Sequence, residues 1–164
     1  MCTEKMIVAD AVGKELENLD RCIAVDLELG DTNDFECDIN LNFWDKKKLN
    51  YGYMIYIPDT EYGGIIGDMK TITKQNAIKM TGDTWRGMLG KKIIEPPSGK
   101  DYLTVSGELN SILRNLIDGR FDGLFLVPQV DTGVIIQNFQ FDRYCTLLNL
   151  SLIHISEPTR LDVI

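Results

Sequence analysis

The chain is 164 residues long and acidic, with 17 Lys and Arg against 25 Asp and Glu and a net charge of −8. Such a surface repels phosphate groups, so nucleic acid is not an expected partner. No apolar run approaches the roughly 18–20 residues that a membrane helix needs, and Met1-Cys2-Thr3-Glu4-Lys5 does not open a secretory signal, so no membrane partner is expected.

The length suits one domain and the beginning of another. Cys2, Cys22, Cys37 and Cys145 form no CxxC pair, so their spacing suggests neither a zinc site nor a redox dithiol. Cys22 and Cys37 sit in apolar strand-like runs and read as small core residues. Assembly in a reducing cytoplasm is the simplest expectation.

Read in chain order, Lys5–Ala9 and Glu15–Leu19 predict a small hairpin turning at Gly13-Lys14. Cys22 to Leu29 places Val25, Leu27 and Leu29 on one face, with Asp26 and Glu28 on the other, as in a half-buried strand. Gly30 to Asp34 is rich in turn formers. Phe35 to Phe43 then alternates without a break: Phe35, Cys37, Ile39, Leu41 and Phe43 are expected inside, and Glu36, Asp38, Asn40 and Asn42 outside. Strands are also predicted over Tyr51–Pro58, with Tyr53, Ile55 and Ile57 on one face, over Tyr62–Ile72 and over Ala77–Gly82. The glycines at 63, 64 and 67 point to a bulge or tight bend in the second of these. Asp83 or Thr84 is a candidate cap for a brief helix over Trp85–Gly90. Pro96-Pro97-Ser98-Gly99 is the strongest breaker, and the divide between domains is drawn there.

Beyond it the period changes. Ser106 is a candidate N-cap, and Leu109, Ile112, Leu113, Leu116 and Ile117 form one apolar stripe on a helix that Asp118-Gly119 ends. Two strands are expected over Gly123–Pro128 and Gly133–Phe139, around Asp131-Thr132, and a second helix opening at Asp142. The last run, Leu150 to Arg160 (LSLIHISEPTR), resembles the translation of a transposase-type sequencing adapter. On that reading residues 150–164 are an artefact, the lone His154 carries no chemistry, and the natural chain is a fragment opened near Asn149.

Candidate reactive groups are few. The glycines at 63–67 do not make a phosphate loop, because Asp68 stands where a lysine is required. Asp26 with Glu28, and Asp34 with Glu36, read as acids on the wet side of strands rather than a glycosidase pair held across a cleft. With His154 set aside, nothing is available to activate a serine or cysteine, and zinc loses its usual ligand. Lys46-Lys47-Lys48 reads as a solvated turn. Trp44, Tyr51, Tyr53, Tyr56 and Tyr62 suit barrel packing better than a carbohydrate platform. No catalytic residue, cofactor-binding residue, metal ligand or cofactor is expected, and the chain is not expected to be an enzyme.

The order of elements nonetheless resembles a known family. Asn33-Asp34-Phe35-Glu36 follows an alternating strand and a Gly-Asp turn; a glycine-interrupted strand follows; then a short strand runs into Thr81-Gly82-Asp83-Thr84-Trp85-Arg86-Gly87-Met88-Leu89-Gly90-Lys91-Lys92-Ile93-Ile94. The helix over Leu109–Ile117 and the start Arg143-Tyr144-Cys145-Thr146-Leu147-Leu148 fit the same layout. Together they are similar to the N-terminal part of siphophage tail and baseplate-hub proteins of the ReqiPepy-phage Gp37-like type. Asp68-Met69-Lys70, Lys92 and Pro96-Pro97 depart from that family's pattern.

The resemblance implies a mainly β (α+β) fold: a β-barrel-like tail or hub domain with a short helix over 1–97, then the start of an α+β domain over 98–149. It implies a structural part of a phage or prophage tail tip, assembled in the bacterial cytoplasm and located in the virion tail. The expected partners are itself, in a ring-shaped homo-oligomer of which a trimer is one form, and other tail proteins. Two competing readings remain: the mount of a tail-associated cell-wall hydrolase whose catalytic domain is missing, and a carbohydrate-binding module.

Overall fold

A computed structural model describes residues 5–19, 21–30 and 32–149. The chain divides into two compact units, the first ending at Met88 and the second starting at Leu89. The first is a sheet of seven strands: β1 (Met6–Ala9), β2 (Glu15–Leu19), β3 (Cys22–Leu27), β4 (Asp34–Asn40), β5 (Met54–Tyr56), β6 (Gly63–Ile72) and β7 (Ala77–Thr84). Their order across the sheet is β2-β1-β5-β6-β7-β4-β3, and every neighbouring pair is antiparallel. The sheet is open: β2 and β3 are its edges, and closure into a barrel is not seen among the described strands. Even so it rolls strongly. Val25 and Leu27 of the edge strand β3 and Ile55 of β5, with three strands between them in the sheet order, line one small void. The covalent link from Leu19 to Cys22 also holds the two edges within about 11 Å at one corner.

The alternation of β4 places Phe35, Cys37 and Ile39 in the core at 1–3 % exposure, as its period of two requires. Met6, Val8, Ile55, Ile66, Ile78 and Met80 join them from four other strands. Phe35 lies against Gly64 and Gly82, where any Cβ would meet its ring. Tyr53 and Ile57 pack on the same core as Ile55, the face that their spacing predicts.

One expectation changes. Strand β4 stops at Asn40, whose side chain accepts a hydrogen bond from Asn42 N and turns Leu41–Phe43 into a 3-10 turn; Phe43 is therefore half exposed rather than inside. The glycine-interrupted strand is indeed one strand with a bulge, and the register shifts between Ile66 and Asp68. At the end of β7, Thr84 rather than Asp83 caps the helix α1 (Trp85–Gly90). Its hydroxyl accepts from Gly87 N at 3.3 Å and donates to the Asn33 carbonyl at 2.7 Å.

The second unit holds β8 (Thr104–Glu108), α2 (Leu109–Ile117) and β9 (Ile135–Gln140), with β8 and β9 antiparallel. Helix α2 has the predicted bounds, buries Ile112 and Leu116, and ends at Asp118 before Gly119 in the left-handed region. The predicted hairpin partner of β9 is corrected: residues 123–128 form no strand, and β9 pairs instead with β8, which precedes the helix. Asp122 and Gly123 have positive φ and Pro128 has no N–H to give to a ladder, so that segment is unsuited to pairing. The helical residues near the end of the described chain are 147–149, later than Asp142, because Tyr144 takes a positive φ.

Candidate assembly surface

The acidic residues weighed from the sequence lie where alternation puts them, on the outer face of β3 and β4. Asp26 stands opposite Glu36, and Asp34 opposite Asp83 of β7. Thr32 Oγ1 lies 2.5 Å from a Glu28 oxygen and 2.6 Å from an Asp34 oxygen, its single proton serving one of them at a time, while Lys79 bridges Glu36 at 2.7 Å. Like charges facing one another cost stability, and these partners offset that cost. Among the described residues no group of three or more His, Cys, Asp or Glu is placed to hold a metal ion. No helix among them is long and apolar enough to cross a membrane. The tail over 150–164, with His154, lies outside the described residues.

The five aromatics do not form one platform. Trp44 and Tyr53 pack on the core, Tyr56 donates to Glu15 at 3.0 Å, and Tyr51 and Tyr62 are exposed. Burial and the Glu15 carboxylate both raise the Tyr56 pKa. Lys46 to Lys48 lie in a turn closed by Asp45, with Lys48 paired to Glu17 at 2.7 Å.

The surface that stands out spans the end of one predicted strand, the turn at Asp131-Thr132 and the start of the next predicted strand. In the second unit, residues 126–135 carry Leu126, Val130, Val134 and Ile135 exposed at 89 %, 67 %, 45 % and 61 %. Their backbone is not loose. Arg114 of α2 donates to the Pro128 carbonyl at 2.7 Å, and Asn110 donates to the Val130 carbonyl at 2.8 Å. Glu108, the N-cap of α2, accepts from Ser111 N at 2.8 Å, and its other oxygen accepts from Thr132 N and Oγ1 at 3.0 and 2.8 Å. Ser106, the cap expected from sequence, instead accepts from Asn138 N within the sheet. The Thr132 amide foremost, with further amides of the first helical turn, holds the Glu108 carboxyl down at about 2. The polar side of α2 thus pins a loop whose apolar side chains face water. A groove of about 230 Å³ beside it is lined by Arg114, Ile117, Phe125, Leu126, Val127 and Gln129, among others. The sequence signal that was available is the concentration of aliphatic residues around Asp131-Thr132-Gly133 together with an Asn and an Arg four residues apart on the helix face.

No protein-family model and no curated protein matches the chain. Among solved structures it is similar to prophage tail protein gp18 from Listeria monocytogenes EGD-e, at 15% identity and a TM-score of 0.49, over 91% of this chain and 45% of that one. The chain therefore spans less than half the length of that protein.

Proposed function

We propose that the chain is a structural component of a phage or prophage tail tip or baseplate hub. It works by assembly: copies join in a ring through the pinned apolar loop and the open strand edges, with the barrel-like roll of the first unit as the rigid body. The observation that carries this reading is the exposed apolar stretch over 126–135, the loop that leads into β9 and its first residue. Exposing several aliphatic side chains is unfavourable for a lone molecule, and fixing their backbone beforehand lowers the ordering cost of a contact. The sequence motif that resembles tail proteins supports the same role: its Thr81–Gly90 portion forms the end of β7 and α1, a junction that Thr84 ties to the Asn33 carbonyl.

Light scattering on eluting protein over a range of concentrations tests the proposal. A defined oligomer is expected, and Leu126→Asp combined with Ile135→Asp is expected to give monomers with an unchanged circular dichroism spectrum. A wild-type chain that stays monomeric at all concentrations, alone and with the other tail proteins of its source, overturns it.

A further inference from the structure

Sequence spacing keeps the cysteines apart; a strand irregularity brings two of them together. In β3 and β4, Val25 pairs with Cys37. Continued regularly, that register would put Cys22 on the face opposite Cys37, since side chains alternate along a strand. The register shifts between Cys22 and Ala24, so Ile23 is an extra residue in β3. Ile23 and Ala24 both face solvent, and Cys22 turns into the core opposite Ile39. Its sulfur lies 3.7 Å from Cys37 Sγ, which donates to it, while the Cys22 thiol donates weakly to the Leu19 carbonyl at 3.9 Å. Cys22, at the end of an edge strand, is 8% exposed; Cys37 is 1% exposed.

We propose that Cys22 and Cys37 are an oxidisable pair that a peroxide converts to a disulfide, clasping the edge strand β3 onto β4. The thiolate of Cys22, the more accessible sulfur, attacks one peroxide oxygen. The O–O bond breaks, Cys22 becomes a sulfenic acid, and the departing hydroxide takes up the proton that Cys22 released. Cys37 then gives up its proton and attacks the Cys22 sulfur; the S–O bond breaks and the oxygen leaves as water. Two thiols and one hydrogen peroxide yield one disulfide and two waters. The sulfurs must close by about 1.6 Å to reach bonding distance, and the bulge at the strand end supplies the slack. The biological use of the clasp rests on the tail reading: a particle built in a reducing cytoplasm and released into an oxidising exterior would tighten its sheet edge after assembly.

The test uses the full chain with Cys2→Ser and Cys145→Ser, so that only this pair remains. Brief treatment of the native protein with hydrogen peroxide is expected to lower the intact mass by about 2 Da. It is also expected to abolish maleimide labelling after denaturation and to raise Tm by several degrees, reversibly with dithiothreitol. Oxygen adducts without mass loss, disulfide-linked dimers, or a bridge that forms only in urea overturn the proposal. With Cys37→Ala added, peroxide is expected to leave a sulfenic acid on Cys22 that dimedone traps; absence of that adduct overturns the assigned order. A chain that oligomerises but forms no bridge loses the clasp and keeps the tail reading, and a bridged monomer does the reverse.

Discussion

Glu108 shows how one side chain joins local and tertiary structure. It ends β8, caps α2 and holds the Thr132 turn through a second oxygen. Its folded pKa of about 2 lies below the ordinary 4.5. A depressed carboxylate stabilises fully above the unfolded value, and that contribution fades as pH falls from about 4.5 toward 2. The Thr132 amide is therefore expected to lose protection, relative to its intrinsic exchange rate at each pH, across that window, and Glu108→Gln is expected to lower that protection already at neutral pH. Hydrogen exchange read by NMR checks both. A comparable single-residue dependence sits in the first unit. Thr84 is fully buried, and its hydroxyl links the Asn33 carbonyl to the first turn of α1. Thr84→Val is expected to cost about 1–2 kcal/mol in urea unfolding, the usual loss of a buried cap.

At the level of strands and helices, the close approach of Phe35 to Gly64 and Gly82 is decisive. An added Cβ at Gly82 would run into the Ile65 carbonyl, which is backbone and cannot swing aside, and into the Phe35 ring. Gly82→Ala is expected to destabilise by about 1–3 kcal/mol as overpacking. Phe35→Ala is expected to cost about 3–5 kcal/mol through the cavity left behind. Chemical denaturation of the three proteins would rank them. The interior face of β4 was readable from the chain because alternation is local, and Phe35, Cys37 and Ile39 need no distant partner to declare themselves. The bounds of α2 were readable for the same reason. The pairing of β8 with β9 was not, because a helix and a loop intervene and nothing in Thr104–Glu108 names Ile135–Gln140 as its mate. Nor was the bulge at Ile23, which changes the parity of one cysteine without leaving a glycine behind as a marker. The segment 123–128 reads as a strand because its aliphatic content is that of one; only Arg114 of α2, which holds the Pro128 carbonyl, reveals that its backbone is fixed another way.

Over the whole molecule, charge and apolar exposure oppose each other. A net charge of −8 makes copies repel, while the exposed Leu126, Val130 and Ile135 favour contact. Salt screens the first and leaves the second nearly intact. Association is thus expected to strengthen between about 0.05 and 0.5 M sodium chloride, measured by sedimentation velocity. Weakening with salt would mean that ion pairs rather than aliphatic contacts hold the copies together.

The position of β7 has a consequence for how the first unit is made. It is the last of the seven strands in the chain, yet it lies between β6 and β4 and joins the group β2-β1-β5-β6 to the pair β4-β3. On a ribosome the earlier strands emerge as two half-sheets, each with a bare flank and half a core, and they wait for one late segment to knit them. A damaged β7 would slow that knitting as well as weaken its product, so variants there should be poor in soluble yield out of proportion to their loss in equilibrium stability.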